Sequence, residues 1–115
     1  MITKEQKIID ALAGQFPIKV YPEIGILAKL REVFDAFDIK PNTLLEVHSM
    51  VDLREEGGIG CDIRPIGLAA GDVKTAFLCS ITHVRIKIGE PFYVELEKYR
   101  LKRIKKLAIQ NRFRF

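Results

Sequence analysis

The sequence predicts a small α+β domain. Apolar residues recur at helical spacing near the start and again over 23–37, while two later segments are rich in the Ile, Val, Phe and Thr that strands favour. At 115 residues, 48% hydrophobic and 30% charged, the chain has material for one core and not for two.

Thr3-Lys4-Glu5-Gln6 is a capping box, with the Thr3 hydroxyl placed to accept from the amide three residues on and Gln6 to reach back. It predicts a first helix, carrying Ile8, Ile9, Leu12 and Ala13 on one stripe and stopped by Gly14. Phe16 to Tyr21 is short, β-branched and bracketed by prolines, which predicts an extended segment or a small edge strand. From Glu23 to Phe37 the positions Ile24, Leu27, Ala28, Leu30, Phe34 and Phe37 follow a period of 3.6, so a second helix is expected there.

A second capping box, Thr43-Leu44-Leu45-Glu46, with Gly57-Gly58 as a stop, argues for a third helix over 44–55. Leu45, Val47, Val51 and Leu53 also alternate with polar residues as a strand would, with Glu55 to Gly58 as the hairpin loop. The helix is the preferred reading of the two. Segments 59–66 and 75–88, separated by a loop with a Gly71-Asp72 turn, pair most simply as an antiparallel hairpin. Pro91 after Gly89-Glu90 starts a last helix.

Helix, short strand, helix, turn, helix and hairpin in this order resembles the winged helix-turn-helix superfamily. The resemblance covers residues 3 to about 88, and Leu53 to Ile59 looks like the end of a recognition helix turning into the first wing strand. It implies a winged-helix-like three-helix core with a β-hairpin wing over 1–90, to which 91–115 adds a basic C-terminal helix packed on the same domain. It also implies DNA contact by the third helix and the wing, and a role in transcriptional regulation. On the third helix Arg54, on the flank nearer the core, and His48 are the polar groups that could donate to base edges, and Arg64 and Lys74 flank the wing loop.

Charge is segregated along the chain. Residues 91–115 carry eight Lys/Arg against two acids, net +6, and residues 1–90 carry eleven against thirteen, net −2. A cationic segment on a near-neutral domain draws it towards polyanions. On a helix from Pro91, Lys98, Lys102, Lys105 and Lys106 fall on one side and Phe92, Tyr93, Leu96, Tyr99, Ile104 and Leu107 on another. Arg103 lies near the apolar sector, and Arg112 and Arg114 alternate with Phe113 and Phe115 in the tail. Together with Arg54, Arg64 and Lys74, these cations form the expected nucleic-acid-binding set, acting through phosphate neutralisation, with DNA favoured over RNA.

The same helix also reads as a solvated docking face, as a partner-binding element without nucleic acid, or as a membrane-surface helix; the last is disfavoured because a small domain needs its apolar face for the core. Leu45 and Leu53 on the outer side of the third helix need a cover, which predicts a homodimer. Cys61 and Cys79 read as buried thiols able to face each other across strands, and His48 and His83 as structural. Gly57-Gly58-Ile59-Gly60 lacks the spacing and the lysine of a phosphate loop, and no nucleophile or metal-ligand spacing occurs, so neither enzyme, cofactor nor metal is expected. With no leader-like start and no apolar run near ~18 residues, a cytoplasmic location without membrane insertion is the expectation.

Overall fold

The computed structural model of the chain describes residues 2–68 and 77–112. It is an α+β structure built on five antiparallel strands: β1 (Ile18–Pro22), β2 (Leu45–Asp52), β3 (Ile59–Pro65), β4 (Phe77–Ser80) and β5 (Val84–Ile86), in the order β4-β3-β2-β1-β5. The helices are α1 (Lys4–Ala11), α2 (Leu27–Val33), a single turn α3 (Arg54–Gly57) and the long α4 (Tyr93–Arg112).

The order of the strands dictates the shape. β4 and β5 are the two edges, yet only one 3₁₀ turn, Ile81–His83, joins them. A flat five-stranded sheet would put its edges about 19 Å apart. The four chain steps from Ser80 to Val84 reach at most about 14 Å. The sheet must therefore curl until its edges approach. Ile18, Val20, Leu45, Val47, Ile59, Cys61, Ile63, Val84 and Ile86 fill the inside of the curl. Leu12 after α1, Leu30 of α2, Phe34 after it, Ile81 of the 3₁₀ turn and Leu96 of α4 close the ends.

The first helix forms as its sequence predicts, with the Thr3 hydroxyl accepting from the Gln6 amide at 3.0 Å and Gly14 at φ +82. Gln6, however, donates its side-chain amide to Asp10 and does not complete the capping box. The Thr3 hydroxyl also donates to the Asp52 carboxylate, tying α1 to the end of β2. That bond, with the Arg54 amide, holds the Asp52 carboxyl below its usual range.

Four expectations are corrected. Residues 18–22 are not an edge strand: β1 lies between β2 and β5. Pro22 is tolerated because the β1–β2 register ends at Val20↔Leu45, so no partner awaits its missing N–H. The second helix is shorter than 23–37, opening as a 3₁₀ turn over Ile24–Ile26 and ending after Val33.

The third helix over 44–55 is strand β2. A bulge between Val47 and Ser49 shifts the register, so the inward residues are Leu45, Val47 and Met50. The step of three from Val47 to Met50 imitates a helical period, which is why the segment reads both ways. Thr43 accepts from the Lys40 amide and stabilises a turn, and the glycine stop ends only the one-turn α3. The element on which the winged-helix reading depended, a recognition helix, is thus absent from 44–55. Leu45 is fully buried and Leu53 packs against Gly57 and Gly60, so neither asks for a second subunit to cover it.

The fourth correction concerns 75–88, which is not one strand. β4 pairs with β3 in the register Cys61↔Cys79 and Ile63↔Phe77, as the hairpin reading requires. The chain then crosses to the other edge, where β5 pairs with β1. The loop residues 69–73, with their Gly-Asp turn, lie outside the described residues.

Candidate nucleic-acid interface

α4 begins two residues later than Pro91 predicts, after Phe92 at φ +60, and its 20 residues span about 30 Å. Its inner face buries Leu96 and Arg100 on the side that meets the 3₁₀ turn and β5, and Tyr99 beside Gly58 and Lys4. Past Arg103 the docking ends: 104–106 and 108–110 are exposed and Leu107 is half-buried. The second half of the helix therefore stands out from the sheet.

Lys98, Lys102, Lys105 and Lys106 are all exposed. At 100° per residue they occupy one sector about 100° wide. None forms an ion pair among the described residues. Glu95 sits at the N-terminal end of this flank, and Glu97 is turned inward, where it binds Arg100 at 3.1 Å and accepts from the Ile86 amide at 2.9 Å. The lysines thus face solvent with no ion pair among the described residues.

A small recess of about 170 Å³ adjoins them between α1 and α4, lined by Lys4, Glu5, Tyr99, Lys102, Arg103 and Lys106. Four cations share it with one carboxylate. Lys4 stands over the Tyr99 ring, 5.7 Å from its centroid, and the aromatic face offsets part of the cost of crowding cations. Burial and the neighbouring Glu5 push the Tyr99 phenol above its ordinary value, so the ring contributes no negative charge near neutral pH. Cations outnumber carboxylates in its lining, with Glu5 in the recess and Asp52 near Tyr99 on the acidic side.

The remaining cations are dispersed. Arg103 is half-buried, with its side chain against Gly58. Arg54 is exposed at φ +65, in the hairpin between β2 and β3. Arg64 lies on the outer face of β3, 3.0 Å from Asp62, and its charge is already matched. Arg112 closes α4, while Lys74, Phe113, Arg114 and Phe115 lie outside the described residues. Lys4 was missed in the sequence, where it appears as a member of a capping box; nothing local signals that α1 lies beside α4.

The two cysteines are direct cross-strand neighbours and both free. Burial pushes the Cys79 thiol up to about 12 and the Cys61 thiol well above its ordinary value, so both stay protonated. His48 stands 3.4 Å from Glu46 and His83 is exposed. Among the described residues no three His, Cys, Asp or Glu come together as a metal-ligand set, and no helix is long and apolar enough to cross a membrane. No protein-family model, curated protein or solved structure matches the chain.

Proposed function

We propose that α4 is a phosphate-tracking arm and that the protein binds nucleic acid through the backbone. The observation that carries this reading is the flank Lys98, Lys102, Lys105 and Lys106, exposed and without carboxylate partners among the described residues, extended across the recess by Lys4. Lysines aligned on one helix neutralise successive phosphates without reading bases, which gives affinity with little sequence preference. Groove reading on the winged-helix plan is no part of the proposal, because 44–55 is a strand.

The test is fluorescence anisotropy with labelled DNA and RNA over a range of salt, comparing the full chain with Lys98→Glu/Lys102→Glu/Lys105→Glu/Lys106→Glu. Four exposed residues can be reversed without touching the core. For duplex DNA, four phosphate contacts predict a slope of log affinity on log salt of about −3 to −4, lost in the variant. Binding that ignores both salt and the four substitutions would overturn the reading.

A second reading is favoured by the strip next to the lysines. Val94, Leu101 and Ile104 of α4 are 68%, 55% and 38% exposed and, with Ala108, repeat at heptad-like spacing. Such a strip docks a partner helix. Lys98 and Lys105 border it, so pairing with a second copy would set lysine against lysine, whereas an acidic amphipathic helix would meet complementary charge. Light scattering after size exclusion decides between them: a dimer abolished by Leu101→Glu puts a second copy on the strip, and a monomer leaves it to a different protein.

A further inference from the structure

On the flank of α4 away from the lysines, a groove of about 480 Å³ lies between β1, β5 and the start of the helix. Its volume falls within the range of small-ligand sites, about 300–1,000 Å³. Tyr21 and Tyr93 line it together with Arg85, Lys87, Arg100 and Glu97, so two aromatic rings, three cations and one carboxylate share one concavity.

These groups are held in place by their surroundings. Arg85 is fixed three times over: its Nε lies 3.0 Å from the Glu23 carboxylate, its guanidinium donates to the Pro41 carbonyl at 2.6 Å, and the same group lies 5.5 Å from the Tyr21 ring centre. Tyr21 and Arg85 are also cross-strand partners in the β1–β5 register, so the sheet sets their proximity. Arg100 is nine-tenths buried, held by two hydrogen bonds to Glu97, whose carboxylate also takes the outward amide of β5 at Ile86. Lys87 forms no ion pair among the described residues.

Aromatic rings beside a guanidinium plane form a stacking surface for a heteroaromatic base, and cations at its rim suit the attached phosphate. A paired base in a duplex has both faces covered by its neighbours. We propose that this groove binds an unpaired nucleotide, with the base against Tyr21 and Tyr93 and the phosphate at Lys87, since Arg85 and Arg100 are already ion-paired to Glu23 and Glu97. The proposal rests on the phosphate-tracking reading of α4 for its biological setting and narrows it to single strands, because a groove on one flank and lysines on the other can be engaged together only by a flexible strand.

The test uses the full chain. Labelled 12-nucleotide single-stranded DNA and RNA, the matching duplexes and free mononucleotides are titrated against the wild type, Tyr21→Ala, Tyr21→Phe, Lys87→Glu and the four-lysine variant, with circular dichroism confirming each fold. The chain has three tyrosines and no tryptophan, and Tyr99 lies in the recess beside the α4 lysines, so it is the part of the tyrosine quenching lost in Tyr21→Ala that reports stacking in the groove.

The expected result is single-strand affinity about tenfold above duplex, falling about fivefold or more in Tyr21→Ala and Lys87→Glu, with Tyr21→Phe retaining it and duplex binding unchanged. Tyrosine quenching by single strands and not by duplex supports the same site. Quenching by mononucleotides as strong as by the oligonucleotides would mark a free nucleotide as the ligand of the groove. Folded Tyr21→Ala and Lys87→Glu that bind single strands like the wild type overturn the groove while leaving the α4 reading intact. Single-strand binding lost in those variants but kept in the four-lysine variant supports the groove and overturns the α4 reading. Absence of any binding at low salt overturns both.

Discussion

Single residues carry much of the restraint in this molecule. Gly58 ends the β2–β3 hairpin at φ +65, and a Cβ built there would lie 2.8 Å from the Tyr99 hydroxyl. Gly58→Ala therefore combines left-handed strain with a clash against α4, and a loss of at least about 2 kcal/mol is expected in urea unfolding followed by circular dichroism. An unchanged midpoint would mean that α4 does not press on the hairpin. The cysteines illustrate the opposite case, in which proximity does not create chemistry. Cys61 and Cys79 face each other across β3 and β4, but with Cys79 at about 12 and Cys61 well above its ordinary value, almost no thiolate exists at pH 8. Iodoacetamide should label neither in the native protein over a time that labels both in urea, as read by mass spectrometry. Rapid native labelling of Cys79 would show that the β4 edge opens readily.

At the scale of elements, α4 acts on the sheet through one carboxylate. Glu97 accepts the amide of Ile86 on the β5 edge and holds the buried guanidinium of Arg100, so it stops further strand pairing at that edge while it fixes the helix. Glu97→Ala leaves a buried cation unmatched and an amide unpaired, and a loss of about 3 kcal/mol is expected from thermal or urea unfolding. Arg100→Ala/Glu97→Ala should recover part of it, since the stranded charge is then gone. The helix itself was legible in the sequence, and so was the exposed lysine flank, but its apolar face was legible only in part: Leu96 and Tyr99 are buried as expected, whereas Phe92 and Ile104 are exposed and Arg100 takes a place on the inner face. β2 was legible only in its alternative reading, because the bulge at Val47/Ser49 breaks the period of two and leaves Val47 and Met50 at a helical step. The jump of β5 to the far edge has no local trace. Thr75 to Ile88 is uniformly strand-like in composition, and the break at Ile81–His83 arises from closure of the curl, a property of the assembled sheet. For the same reason Lys4, Tyr21 and Lys87 could not be placed beside α4 from sequence: each is brought there by strand order or helix docking.

For the whole molecule, the boundary drawn at residue 90 by charge is not a boundary of the core. The basic segment supplies Leu96 and Tyr99 to the packed interior, Arg100 and Glu97 to its rim, and the cap on β5, all before residue 104. A chain ending at 90 should lose cooperative unfolding: its sheet keeps the β4–β5 closure but exposes Ile81 and Ile86, which α4 covers, and leaves the Ile86 amide to solvent at an open edge. A chain ending at 103 should unfold cooperatively at a midpoint close to that of the full length, because residues 104–110 are exposed apart from half-buried Leu107. Urea titrations of the three lengths, compared in midpoint and slope, decide the matter. If 1–90 unfolds cooperatively like the full chain, α4 is an appendage and its lysines are carried on an independent arm. If only 1–103 does, one helix serves two purposes, with its first half completing the core and its second half holding lysines clear of the sheet. In that case loss of nucleic-acid binding on removing 91–115 would report unfolding, and only substitutions at exposed lysines separate the binding surface from the fold that presents it.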